Sequence, residues 1–211
     1  MPATQTHHQT LIHQLVSGDT WPGQTWQIPV PITIEEYRNN IFRPDCDFVD
    51  GFLVHRRPPE GKYTEQEIKE LFVGEWEHNK LQLLMGNWFL SHEAVWPIDV
   101  VPEQRIQVAP KRIRVCDVCL LHRDAPRERT ILTAPLLCIE ILSPADRKSR
   151  AKLVLEDYRR MGVPNTWLID PIRRKAWIYH SLELHEVPTD RIAIPDSPIH
   201  LMLDDLLDRL T

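Results

Sequence analysis

At 211 residues, 42% of them hydrophobic, the chain is long enough for one substantial core and short for two ordinary domains. No apolar run approaches the roughly 20 residues that cross a bilayer, and the opening MPATQTHHQT has neither the basic region nor the apolar stretch of a secretory signal, so a cytoplasmic protein with no membrane contact is expected. A net charge of −5 excludes a protein that coats nucleic acid by bulk electrostatics, because phosphate neutralisation needs clustered Lys and Arg.

Residues 1–28 are polar, rich in His and Gln and without periodicity, which predicts a loosely ordered arm ahead of a single domain over 29–211. Thr33-Ile34-Glu35-Glu36 reads as a capping box that opens a short helix ending near Phe42. The stretch from Asp47 to Val54 has apolar residues on both sides of an Asp50-Gly51 turn signal and predicts a hairpin. A second Thr-x-x-Glu box at Thr64 and Glu67 opens a long helical region to about His92, bent near Gly74. Within it, Leu81, Leu84, Met85, Trp88 and Phe89 form the stripe of a helix lying on a sheet.

Strands are expected around Ile98–Val101, Arg105–Val108, Ile113–Leu121 and Leu136–Leu142, then a helix from about Asp146 to Met161. Two more strands, Asn165–Asp170 and Lys175–Tyr179, precede a terminal amphipathic segment, Leu201–Leu210. That order describes an α/β fold with a central mixed sheet and helices packed against it. Layers of this kind host many chemistries, so function must come from particular residues.

Two carboxylates stand out. Glu140 interrupts the apolar run Leu136-Leu137-Cys138-Ile139-Glu140-Ile141-Leu142, and Asp117 interrupts Val115-Cys116-Asp117-Val118-Cys119. Alternation puts Glu140 on the face of Cys138 and Leu142. An unpaired buried charge costs several kcal/mol, so each acid needs a cation, a metal or a hydrogen-bond network beside it. The residues themselves leave open a buried ion pair with Arg114 or Arg147. Cys116 and Cys119 have Cys-x-x-Cys spacing, but their odd separation on a strand sends the thiols to opposite faces, which argues against zinc or redox chemistry. Tyr158 and Trp167 fall at apolar-periodic positions and read as core rather than as base-stacking platforms. His7, His8 and His13 have no companion metal-ligand spacing.

The segments Arg114–Cys119, Leu137–Pro144 and Asp157–Pro171, with Asp47-Phe48-Val49-Asp50-Gly51 and His78 upstream, resemble the Uma2 family of restriction-endonuclease-like proteins, in the PD-(D/E)xK superfamily. The resemblance covers about residues 30–200. It implies a restriction-endonuclease-like fold and a metal-dependent endonuclease that hydrolyses phosphodiester bonds of DNA. By it, Asp117 matches the Asp of the family's Pro-Asp element, Glu140 the second acid and Asp47 an upstream acidic position, and the three would hold Mg²⁺, with Mn²⁺ as a substitute. His78 would contact phosphate or the acid cluster.

The chain departs from the pattern at two points. Cys116 replaces the proline before Asp117, and Leu142 stands where the superfamily's lysine would be. The resemblance puts the family's lysine on the following helix, at a position filled here by Val154. Lys152, about 200° away on a regular helix, is the lysine assigned to the site, with Lys148 as a further candidate. The alternatives are a catalytically degenerate nuclease fold that binds nucleic acid or a protein, and a structural or regulatory homo-oligomer such as a homodimer.

Overall fold

The computed structural model describes residues 30–42, 46–55, 76–143 and 148–210. The second capping box at Thr64 and the bend at Gly74 lie outside them, as do residues 1–28 and Arg147. The chain divides into two compact units. The first takes its described residues from 30–55 together with Pro110–Val115, and the second from residue 76 onward apart from that insertion.

In the first unit, β1 (Val30–Pro31), β3 (Phe52–His55) and β2 (Cys46–Val49) pair antiparallel in that order. The first residues of β5 (Arg112–His122) follow, with Ile113 opposite Phe48. The β2–β3 turn is Asp50-Gly51, at φ 51° and 94°, the left-handed pair that a two-residue hairpin requires. Helix α1 (Ile34–Asn39) begins on the expected capping box: Thr33 Oγ1 accepts from Glu36 N at 3.1 Å, and Glu36 Oε2 accepts from Thr33 N at 2.7 Å. It stops before Phe42 because Asn40 turns extended and its side-chain amide donates to the Glu36 carbonyl, replacing a further helical turn. Tyr37, Phe42, Phe48, Leu53 and Ile113 fill the core of this unit. Thr33→Ala removes one half of the box, and chemical denaturation is expected to show a loss of about 1 kcal/mol.

In the second unit the order is β5, β7 (Leu137–Ile141), β8 (Asn165–Asp170), β9 (Lys175–His180), β10 (Glu183–Val187). β4 (Ile98–Ala109) lies beside β5 and pairs with β6 (Thr130–Ile131) in parallel. Only β7 and β8 run parallel within the main order. A parallel pair needs a long crossover, which α3 (Lys148–Met161) supplies. Helix α2 (Trp76–His92) and the terminal α4 (Leu203–Leu207), which runs into a 3-10 turn at Asp208–Leu210, pack on one sheet face against Val118, Ile139, Ile141 and Trp167. Helix α3 covers the other face, where Cys119, Cys138, Leu142 and Leu168 meet Val154, Leu155 and Tyr158. The unit is the expected α/β sheet flanked by helices. A short separate ribbon, β11 (Ile192–Ala193) with β12 (His200–Leu201), completes it.

Three further expectations change. The two strands foreseen at Ile98–Val101 and Arg105–Val108 are one twelve-residue strand; Pro102 and Glu103, the latter at φ 49°, distort it without ending it. β10 escaped notice because its residues are mostly exposed and polar, and because its turn, Ser181-Leu182 at φ 51° and 66°, has none of the Asn or Gly that signals such geometry. The third concerns the thiols. Cys116 and Cys119 occupy the same core cluster, not opposite faces, because alternation breaks near Asp117: the Cys116 thiol turns to the Val118 carbonyl at 3.3 Å.

Candidate metal and active site

β5 and β7 pair through Val118–Ile139, Cys119–Cys138 and Leu120–Leu137. Asp117 and Glu140 stand one step beyond the last of these pairs. There the Asp117 carboxylate takes over from the ladder, its Oδ2 accepting from Ile141 N at 2.8 Å. This contact lays the Asp117 carboxylate against the peptide that joins Glu140 to Ile141. Gln82, from α2, donates to the Asp117 carbonyl at 2.8 Å, occupying an acceptor that a regular strand would give to its neighbour.

Asp117 is 1% exposed and His78 is 4% exposed. Nε2 of His78 lies 3.3 Å from Asp117 Oδ2, and its Nδ1 lies 3.3 Å from Asn79 Oδ1. Both ring nitrogens therefore face oxygen acceptors. An imidazolium satisfies both; a neutral ring does so once the Asn79 amide is turned over. His78 thus sits in the interior on the first turn of α2, bound to the acid, rather than exposed on a helix surface.

Glu140 is half-buried. Its Oε1 accepts from the Tyr158 hydroxyl at 2.7 Å. Burial, above all, and then the charges of Cys116, Glu140 and Cys138 push the Tyr158 phenol well above its ordinary range, so it stays a donor. Sequence periodicity identified Tyr158 as core, which it is, but a phenol at a core position was also a signal that a buried acceptor waits nearby.

In the first unit Arg114 pairs with Asp47, Nη1 to Oδ2 at 2.8 Å, while Asp47 Oδ1 accepts from Val115 N at 3.2 Å. Asp47 is 2% exposed, a buried residue of β2.

On α3, Lys152 is exposed and Val154 is buried in the core. The Lys148 amine lies 3.6 Å from the centroid of the Trp177 ring. Among the described residues, no group of three or more His, Cys, Asp and Glu side chains is disposed to hold a metal, and no helix is long and apolar enough to cross a membrane.

All four cysteines are free and buried. Burial, with the neighbouring Cys116 beside them, raises the Cys119 and Cys138 thiols well above their ordinary range, away from the thiolate form that reacts. Colorimetric thiol titration is expected to be silent on the folded protein at pH 8 and to count four thiols in denaturant.

A family model described as "Uma2: Putative restriction endonuclease" matches residues 70–201, more than half of the chain. The chain belongs to the Uma2 family. The match takes in α2, β5, β7, α3 and β8, and with them Asp117, Glu140 and His78. The crystal structure described as a "putative nuclease belonging to DUF820" from Anabaena variabilis ATCC 29413 superposes with a TM-score of 0.66 at 22% identity, covering 86% of this chain and 100% of that one. At that identity the likeness establishes the shared fold. No curated protein matches this Uma2 chain.

Proposed function

We propose that this Uma2 protein is a divalent-metal-dependent endonuclease acting on DNA, with Asp117 and Glu140 as the metal ligands. The observation that carries this is the bond from Ile141 N to Asp117 Oδ2, at 2.8 Å, which brings one carboxylate against the peptide of the other acid. The donor chemistry fits. The two carboxylates stand just beyond the end of the β5–β7 pairing, Asp117 held by His78 from the α2 side and Glu140 by Tyr158 from the α3 side, and both are hard oxygen ligands; Mg²⁺ takes one or two carboxylates while keeping several waters. The nearby thiols are driven toward their protonated form and offer nothing to such an ion.

When bound, the ion supplies Lewis acidity at the scissile phosphate and makes water a better nucleophile at neutral pH. The chain's own groups prepare the place. Tyr158 holds the Glu140 carboxylate through Oε1. His78 and Ile141 N together orient Asp117, the arrangement by which outer partners hold a ligand in register. Lys152, the lysine assigned from sequence, is exposed on α3, where it is available to a phosphate backbone. With a net charge of −5, contact with DNA must be local rather than global.

The test is direct: purified protein, labelled DNA, and Mg²⁺ or Mn²⁺. Cleavage that stops on chelation supports the proposal. Absence of cleavage with every divalent ion, together with no Mn²⁺ binding by calorimetry, would instead favour the degenerate, binding-only alternative.

A further inference from the structure

Helix α2 grips Asp117 at both its ends. His78 reaches the carboxylate, Nε2 to Oδ2 at 3.3 Å, and Gln82, one turn later on the same side of the helix, donates through Nε2 to the carbonyl at 2.8 Å. The same Gln82 nitrogen donates to Glu103 Oε1, also at 2.8 Å. An amide nitrogen carries two hydrogens and an amide oxygen none, so both N–H groups of Gln82 have an acceptor, and a turned-over amide would set oxygen against oxygen twice. Glu103 thereby decides which end of the amide faces Asp117.

The backbone of Glu103 is unusual for its place. It stands at φ 49° within β4, whereas the other non-glycine residues of positive φ among the described residues occupy turns. Inside a strand that conformation interrupts the ladder, and glycine adopts it with less strain. β4 folds back along β5 through Pro110 and Lys111 alone, so the distortion falls in the strand that neighbours Asp117, and Gln82 contacts both strands there. A strained residue persists where its surroundings demand it, and the printed demand on this one is its carboxylate, which holds Gln82.

We infer that Gln82 and Glu103 are positioning residues of the Asp117–Glu140 site: Glu103 orients the Gln82 amide, and Gln82, with His78, fixes Asp117 for metal binding. The inference deepens the nuclease function proposed above and rests on it. In this role neither residue meets metal or substrate. Gln82 sets the Asp117 backbone, from which Oδ2 reaches Ile141 N at 2.8 Å. What the amide needs from residue 103 is an acceptor rather than a charge, so a glutamine there can serve.

The experiment measures Mn²⁺ affinity by calorimetry on the full-length wild type, Gln82→Ala, Glu103→Ala, Glu103→Gly and Glu103→Gln, beside thermal melts and cleavage of labelled DNA. Gln82→Ala, Glu103→Ala and Glu103→Gly are each expected to lose about 10-fold in Mn²⁺ affinity and in cleavage, the lower end of what outer partners of metal ligands carry. Glu103→Gln is expected to recover most of that loss. Glu103→Gly separates positioning from stability, because it relaxes the left-handed backbone while removing the side chain: it should melt above Glu103→Ala yet bind Mn²⁺ no better. Variants that bind Mn²⁺ and cut as wild type does, a Glu103→Gln no better than Glu103→Ala, or losses that follow the melting temperature overturn the inference and leave the nuclease proposal standing. Wild type that neither cuts nor binds Mn²⁺ overturns both.

Discussion

Asp117→Asn and Glu140→Gln are each expected to lower metal-dependent DNA cleavage by about 10²–10³-fold or more, since a bound ion contributes several kcal/mol of transition-state stabilisation and each decade in rate corresponds to about 1.4 kcal/mol. The amide replacements are chosen for what they keep. Asparagine at 117 still offers an acceptor to Ile141 N, and glutamine at 140 still accepts from Tyr158. Alanine at 117 would leave Ile141 N and His78 without that acceptor, a cost of about 1–3 kcal/mol for a buried group, and so would mix loss of stability with loss of chemistry. Cleavage kinetics with each amide variant, beside thermal melts that match wild type, separate the two effects. Unchanged rates in both variants would remove the acids from the reaction.

The largest stability effect is expected at Trp167. It heads the fully buried side chains by volume and lies 1% exposed at the middle of β8, against α2, α4 and the neighbouring strands. Trp167→Ala should cost about 3–5 kcal/mol through lost burial and the cavity left behind, a large share of the 5–15 kcal/mol typical of a folded domain. Urea denaturation would show this as a lower midpoint at an unchanged slope. A change below about 1 kcal/mol would mean that the sheet collapses around the gap.

The parts of this fold that the sequence announced are those whose signal is local. The Thr33–Glu36 box, the Asp50-Gly51 turn, the α2 stripe and the apolar strands β5, β7 and β8 each depend on residues close together in the chain, and each is present. The boundaries failed where a side chain or an unusual φ intervened, as at Asn40, Glu103 and the Ser181-Leu182 turn. At the candidate site, the two acids were visible because a charge inside an apolar strand needs a reason. Their partners were not visible. That Tyr158 donates to Glu140, and that Arg114 pairs with Asp47, depends on packing between segments distant in sequence. The shared cluster of Cys116 and Cys119 was hidden for a related reason: strict alternation holds only while the ladder holds, and at Asp117 a carboxylate replaces the ladder.

The central claim is that Asp117 and Glu140 converge on one divalent ion. Crystals soaked in Mn²⁺ and measured at the manganese edge test it most directly. One anomalous peak is predicted about 2.1 Å from an oxygen of each carboxylate, and it should vanish in Asp117→Asn. Manganese bound elsewhere, with Asp117 Oδ2 still held by Ile141 N and His78 and no peak beside Glu140, would contradict the account.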